Sequence, residues 1–248
     1  MRDDIYEKMY MIEDRHWWFA GKRRIIYSLL ERYLASRTHM GPLRLVDLGC
    51  GCGRTLQELP AEIDGVGVDS SSVAVEFCRK RGVKARLGSL TELAGMEQAS
   101  YDAALLADVL EHVEDDAAAV SAAARLLAPG GVMIVTVPAM ASLWSRWDEI
   151  HGHLRRYSRR DLATALRNDA LEEVFVSYCN MFMLPAALAA RLAAGGASDI
   201  TAAQLAVPVW PVNEILKAIF AAERHLLGRI RLPAGLSLVA LMRKVPQR

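Results

Sequence analysis

Leu45-Val46-Asp47-Leu48-Gly49-Cys50-Gly51-Cys52-Gly53 is an apolar run that ends in an acid and then sets three glycines at alternate positions. The run reads as a buried strand bounded by glycine. Glycine turns sharply and lets the backbone approach a ligand with no Cβ in the way. A helix that follows would offer free N–H groups. The stretch therefore predicts a small ligand lying across the carboxyl end of a strand. Its spacing, D-x-G-x-G-x-G, differs from the dinucleotide fingerprint G-x-G-x-x-G. A tight strand–helix turn with no ligand is the plainer alternative.

Outward from this stretch, apolar segments alternate with helical ones. Strands are expected at 43–48, 65–69, 83–87, 101–106, 132–137, 171–177 and 237–243. Helical patterns fill 55–59, 72–81 and 116–127. The first five strands predict a parallel sheet with helices on both faces. Ligands of such sheets sit outside the carboxyl ends of the strands. Four units are expected: an N-terminal helical arm (1–40), an α/β core (41–180), a helical cap inserted over the substrate site (181–235) and a last core strand (236–248). The insertion is too long for a bare loop, and Gly195-Gly196, Pro208 and Pro211 punctuate it.

With 248 residues, 52% of them hydrophobic, the chain is large enough for one α/β domain. A net charge of +1 leaves no basic footprint for nucleic acid. Residues 1–15 are rich in charge and carry no leader pattern, and no run reaches the roughly 18 apolar residues of a spanning helix. Cys50, Cys52, Cys78 and Cys179 lack metal-site spacing and read as packing thiols in a reducing, cytoplasmic setting.

Four blocks carry a resemblance. They are the glycine stretch; Asp69 about twenty residues on; Tyr101-Asp102-Ala103-Ala104-Leu105-Leu106-Ala107-Asp108-Val109-Leu110-Glu111-His112-Val113; and Leu127-Ala128-Pro129-Gly130-Gly131. Their order and spacing resemble the class I S-adenosylmethionine-dependent methyltransferases, above all the small-molecule group that includes the ubiquinone-type O-methyltransferases. The resemblance implies a Rossmann-like, mostly parallel seven-stranded sheet with an antiparallel final hairpin. Glu13 to Phe19 with Arg23-Arg24, and Asn213 to Leu227 with Leu232 to Leu238, look like the opening and closing segments of a bacterial subgroup.

S-adenosylmethionine as the cofactor, with S-adenosylhomocysteine as product, implies a set of binding residues. Asp47, Gly49, Cys50 and Gly51 would cradle it. A carboxylate at Asp69 can accept both ribose hydroxyls, although an N-cap for the segment starting at Ser70 is a common role for Asp. Ser89 and Leu90 would border the adenine, and Ser89 departs from the acid usual in the family. Ala107, Asp108 and His112 would border the methyl donor. Trp17 and Arg23 could close over the cofactor or simply staple the arm to the core.

The segment His151-Gly152-His153-Leu154-Arg155-Arg156-Tyr157 follows the fifth strand. His153 or His151 is the expected general base, with Tyr157 beside them. Arg155 and Arg156, with Trp144 and Trp147, are expected to hold the acceptor. Asp108, Glu111 and His112 share one helical face and could hold a divalent metal. Relatives carry the same Glu-His pair without one, so no metal is expected. The expected function is methyl transfer to O, N or C of a small molecule, with no nucleic-acid partner. A membrane-surface enzyme acting on a lipid or quinone is one alternative, suggested by the apolar residues of the cap. A non-catalytic S-adenosylmethionine-binding protein is another.

Overall fold

The computed structural model describes residues 2–35, 41–90, 93, 96–193 and 206–246. Seven strands make one sheet in the order β3-β2-β1-β4-β5-β7-β6. They are β1 (Leu43–Leu48), β2 (Ile63–Asp69), β3 (Ala85–Leu87), β4 (Tyr101–Ala107), β5 (Leu127–Pro138), β6 (Leu171–Cys179) and β7 (Ser237–Lys244). The first five run parallel, and β7 lies antiparallel between β5 and β6. The Rossmann-like sheet with a closing antiparallel hairpin is the fold found.

Chain direction across the sheet reverses between β1 and β4. The chain moves outward from β1 through β2 to β3, then returns to β4 beside β1. Asp47 pairs with Gly67 on one side and Leu105 on the other. The carboxyl ends of β1, β2 and β4 therefore meet at the switch point, where such sheets open a crevice.

Alternation along β1 and β4 explains the two-sided core. Val46, Leu48 and Leu106 face one side, where helix α5 (Asp116–Leu126) packs. Leu45 and Leu105 face the other, where helix α2 (Trp17–Leu34) lays Ile25, Ile26, Leu29 and Leu30 on the sheet. Strands buried on both faces read as continuous apolar runs, which is why β4 was legible in sequence.

Among the described residues the remaining helices are α1 (Asp3–Ile12), α3 (Arg54–Gln57), α4 (Ser72–Lys80), α6 (Arg146–His151), α7 (Arg159–Ala165), α8 (Leu184–Ala193) and α9 (Val212–Ala222). Helix α3 stops short of the expected 55–59, since the ring of Pro60 disfavours helical geometry at Leu59. Strand β5 begins at Leu127 rather than Val132, so the Pro129-Gly130-Gly131 turn is drawn into its start. A Cβ on Gly131 would stand 2.8 Å from the Ala128 carbonyl, a space only glycine leaves.

The insertion before β7 is tied to the N-terminal arm. Helix α9 lies along α2, and Phe220 comes so near Gly21 that a Cβ there would meet its ring at 2.6 Å. The Asn213 side chain accepts from the Trp17 N–H at 3.0 Å and donates to the Arg15 carbonyl at 2.9 Å. Buried Glu223 accepts from the N–H groups of Asn180 and Phe182, closing the insertion on itself. Gly195 and Gly196 lie outside the described residues. None of the described helices is long and apolar enough to cross a membrane.

Candidate functional site

The glycine turn hangs from the carboxyl end of β1. Gly49, Gly51 and Gly53 all take positive φ, at 80°, 54° and 81°. At Gly49 a Cβ would lie 2.5 Å from Val109 Cγ2, so backbone and packing both demand glycine. Gly49→Ala is expected to cost about 2–4 kcal/mol, from left-handed strain plus overpacking. Urea denaturation checks this, and an unchanged midpoint would mean that the turn is not held as described. Gly51 differs: a Cβ there would meet only Met9 Cε, at 3.8 Å. Its backbone borders the crevice instead of the core.

Asp69 closes β2 and joins the turn directly. Its Oδ2 accepts the Gly51 N–H at 2.9 Å, and its Oδ1 accepts the Ser71 N–H at 2.9 Å. The Tyr6 hydroxyl of α1 also donates to Oδ1, at 3.3 Å. Ser71, not Asp69, caps α4 by accepting from the Ala74 N–H. Asp69 is thus free of the N-cap role and faces the crevice end. A carboxylate offers about four lone-pair sites. Three carry donors here, and one of those donors is a hydroxyl, the group a ribose would present. Asp3, Tyr6, Ser70, Ser71 and Ser72 line a cavity of about 280 Å³ beside it. Burial raises the Asp69 carboxyl above its usual range, opposed by the Ser71 and Gly51 N–H groups.

Asp47 is 3% exposed at the head of the turn. Burial pushes its carboxyl up to about 7, against the pull of Lys22, and Asp69 and Glu13 add to the rise. Cys50 is buried under the turn with its sulfur 3.8 Å from that of Cys78. Ser89 is exposed and Leu90 half-buried, both just past β3. All four cysteines are free thiols and buried, in keeping with packing roles.

At the end of β4, Asp108 adopts φ 58°, a region that Asp tolerates better than most residues. Its carboxylate takes the Lys22 ammonium at 2.6 Å and the Thr136 hydroxyl at 2.9 Å. Lys22 Nζ also sits 4.2 Å from the Trp18 ring centroid. The arm therefore reaches this end of the sheet through a lysine that sequence reading passed over. Asp108 is committed to that pair, which removes it from the suspected metal set.

Glu111 and His112 form a short 3₁₀ turn, and the chain from Gly152 to Leu154 folds over them. The Leu154 N–H donates to the Glu111 carbonyl at 2.7 Å. His112 Nδ1 lies 3.2 Å from the Gly152 carbonyl, and its ring meets that of His153 edge-on, with centroids 4.8 Å apart. Burial, and then His153, lower the His112 imidazole to about 4. His153 Nδ1 lies 2.8 Å from Asp148 Oδ1. Asp148 is fully buried and also takes Arg156 through two oxygens, at 2.8 and 2.9 Å. Burial works against its ionised form but is outweighed by the hydrogen bonds from His153 and Arg156, so the carboxyl sits well below its usual range. Sequence reading missed Asp148; its one signal was the Ser145-x-x-Asp148 capping box.

Several expected site residues are committed elsewhere. The Tyr157 hydroxyl is buried and donates to the Leu110 carbonyl at 3.1 Å and to Asp116 at 2.8 Å. It is a core phenol whose proton is spent, and not a catalytic group. Arg155 pairs with Asp116 and the Glu114 carbonyl. Arg156 is spent on Asp148, so neither arginine is offered to an acceptor anion. His151 stacks on Trp147 at 3.8 Å with Nδ1 on the Trp147 carbonyl, and burial lowers its imidazole. Trp144 is half-buried just past the 3₁₀ turn Ala141–Leu143. Arg23 is 3% exposed and bound to Glu58 and the Glu13 carbonyl. It staples the arm. Trp17 does the same, edge-on to Phe220 at 6.0 Å.

Comparison with known proteins follows the same outline. The family model described as a methyltransferase domain matches residues 18–172. The ubiquinone biosynthesis O-methyltransferase of Xanthomonas oryzae pv. oryzae is 30% identical over 133 residues, 48% of this chain and 55% of that one. That of Methylococcus capsulatus is 32% identical over 128 residues, 47% and 54%. The chain spans about half the length of the curated relatives it matches. Among solved structures, the N-methyltransferase NodS from Bradyrhizobium japonicum WM9, in complex with S-adenosyl-L-homocysteine, superposes with a TM-score of 0.52 at 17% identity. That match covers 91% of this chain and 87% of the other, and it is a likeness of fold.

Proposed function

This chain belongs to the methyltransferase-domain family, and from that premise we propose that it moves the methyl group of S-adenosylmethionine to a small-molecule acceptor. The observation that carries the reading is the direct bond between the two halves of the crevice, Gly51 N–H to Asp69 Oδ2 at 2.9 Å. One carboxylate organises the turn and keeps hydrogen-bonding capacity toward a ribose diol. The bound cofactor supplies an electrophilic methyl on a sulfonium. The chain supplies position and proton handling.

In this reading the methionyl moiety lies against the Gly49–Gly51 backbone and the ribose at Asp69, with Ser70, Ser89 and Leu90 toward the base. Asp47 faces the cationic methionyl end. The acceptor approaches from the Glu111–His112–His153 side, and that cluster takes charge of its proton. Of the two histidines expected as base, His153 is the one that stands there, its ring set by Asp148.

Asp47 gives the reading a pH signature. Its carboxyl is raised to about 7 in the unliganded fold. The neutral form therefore stabilises the fold at low pH, and that contribution is lost as pH rises through about 7. A cationic ligand favours the carboxylate, so binding below pH 7 should release a proton. Affinity is expected to rise with pH, by at most about tenfold per unit, and to level off above 7. Calorimetry in buffers of different ionisation enthalpy measures the released proton. Asp47→Asn should abolish that release, and equal release from the variant would remove Asp47 from the cationic end.

The acceptor can be narrowed by turnover. Methyl transfer to a panel of phenols, amines and carbon acids, read as S-adenosylhomocysteine formed, tests the small-molecule reading. Bound cofactor with no turnover on any of them would favour a non-catalytic binding protein.

A further inference from the structure

Three positive-φ residues mark one edge of the sheet. Asp108, Met140 and Asn180 take φ of 58°, 63° and 59°, in the half of the map that side chains avoid. They follow the carboxyl ends of β4, β5 and β6. Strands β5 and β6 both run antiparallel to β7, and β4 runs parallel to β5, so these ends share the edge that carries the glycine turn. Strained residues that a fold holds in place cluster where ligands bind. Asp108 is answered by Lys22 and Thr136. Asn180 has no such answer.

Asn180 is 2% exposed, and among the described residues its Oδ1 has no hydrogen-bond partner. Its backbone, by contrast, is engaged on both sides. The N–H donates to Glu223 at 2.6 Å, and the carbonyl accepts the Leu236 N–H at 3.4 Å. The Ala139 N–H donates to the Leu236 carbonyl at 2.9 Å, so Ala139, Leu236 and Asn180 form a last row across the rim. A Cβ on Gly235 would lie 2.2 Å from the Cys179 carbonyl, so the chain passes this rim with no room to spare. The amide is thus anchored with an oxygen that no protein donor meets. Burying such an oxygen costs stability, and the O–H or N–H of a ligand would repay it.

The surroundings narrow the ligand. Apolar Met181 and Phe182 follow Asn180 in the chain, and Met140 ends the β5 side. Buried Glu223 accepts from the N–H groups of Asn180 and Phe182, and a carboxylate so placed disfavours an anion beside it. Arg155 and Arg156 are spent on Asp116 and Asp148. Strands β4 and β6 stand three places apart in the sheet, about 14 Å at about 4.8 Å per spacing. Asn180 therefore meets a part of the acceptor remote from Asp108.

Resting on the methyl-transfer reading, we propose that Asn180 binds the acceptor at the β6 end of the crevice, its Oδ1 accepting from a hydroxyl or amine on an otherwise apolar molecule. That group is not the one methylated. It fixes the far end of the acceptor and so aims the reacting atom. An ether in the same place would leave the amide oxygen unanswered, and a site built around one polar partner rejects analogues that lack it.

The test uses the full chain, labelled with ¹⁵N, with S-adenosylhomocysteine and without it. The Asn180 side-chain amide is assigned by its loss in Asn180→Gly, which keeps the positive-φ backbone. Phenol, benzyl alcohol and aniline are titrated against anisole, benzyl methyl ether and N,N-dimethylaniline. The three donors should shift the Asn180 amide protons and bind about tenfold tighter than their capped partners, the worth of one hydrogen bond. Asn180→Gly should erase that preference and leave S-adenosylhomocysteine affinity within about threefold. Asn180→Asp keeps an acceptor oxygen and tolerates the same φ, so it should retain the preference. A merely structural asparagine would change both members of each pair alike. Equal binding of donors and capped partners, no binding of any fragment, an unmoved Asn180 amide, or a preference that survives in Asn180→Gly would overturn the proposal. Failure of S-adenosylhomocysteine to bind would overturn the methyl-transfer reading, and the fragment pairs without it would still decide the role of Asn180.

Discussion

Asp69→Ala is expected to weaken S-adenosylmethionine binding about a hundredfold or more, measured by calorimetry. Two hydrogen bonds from a ribose diol to a carboxylate carry about 1.5–3 kcal/mol each, and about 2.7 kcal/mol is a factor of a hundred. The substitution also removes the acceptor of the Gly51 and Ser71 N–H groups, so the glycine turn loses its brace. Asp69→Asn separates the two effects. Its amide oxygen can still accept from one of those N–H groups, but it cannot accept from both hydroxyls of a diol. Full affinity in both variants would exclude Asp69 from the cofactor site, and a loss confined to the alanine variant would mark a purely structural brace.

Lys22→Ala carries the other large effect, this time on stability. Lys22 and Asp108 are 17% and 18% exposed and meet at 2.6 Å. Removing the lysine leaves the Asp108 carboxylate with Thr136 alone. An uncompensated buried charge costs about 3–5 kcal/mol, and the remaining exposure lowers the expected loss to about 2–4 kcal/mol. Burial favours the neutral Asp108 carboxyl, but Lys22 and Thr136 outweigh it and hold the group below its usual range. Its contribution is therefore present above the unfolded pKa and fades as pH falls through the lowered value. Adding Asp108→Asn to Lys22→Ala should restore much of the loss in urea denaturation. A double variant no more stable than Lys22→Ala would show that the lysine acts through Trp18 packing alone.

The difference between what sequence gives away and what it hides is a difference of range. Strands β1, β4 and β5 are buried on both faces, so continuous apolar runs disclosed them. Gly49 and Gly53 disclosed a turn because positive φ leaves a composition signal. Asp69 could be placed at the crevice because an acid ending a strand is a local pattern. Tyr6 could not, since α1 meets β2 only in the folded chain, 63 residues from its partner. Lys22 and Asp108 are 86 residues apart. Three of the candidate acceptor-binding and catalytic residues misled for the opposite reason. Arg155, Arg156 and Tyr157 look chemically potent in sequence, yet Asp116 and Asp148 had already claimed them. Asp148 hid inside an ordinary helix cap while holding His153 from below.

The same contrast shapes the arm and the insertion. Trp17 and Arg23 allow a lid or a staple in sequence, because aromatic and basic groups suit a cofactor as well as a core. In the fold they fasten α2 to α9, with the help of Asn213, and to the chain around Glu58, contacts that no local pattern records.

The most direct test is a crystal structure of the full chain grown with S-adenosylhomocysteine. The ribose hydroxyls should lie within hydrogen-bond distance of both Asp69 oxygens, with the Tyr6 hydroxyl displaced from Oδ1 and the Gly49–Gly51 backbone against the homocysteine moiety. An unchanged Tyr6–Asp69 contact, with the nucleoside bound elsewhere or not at all, would contradict the account.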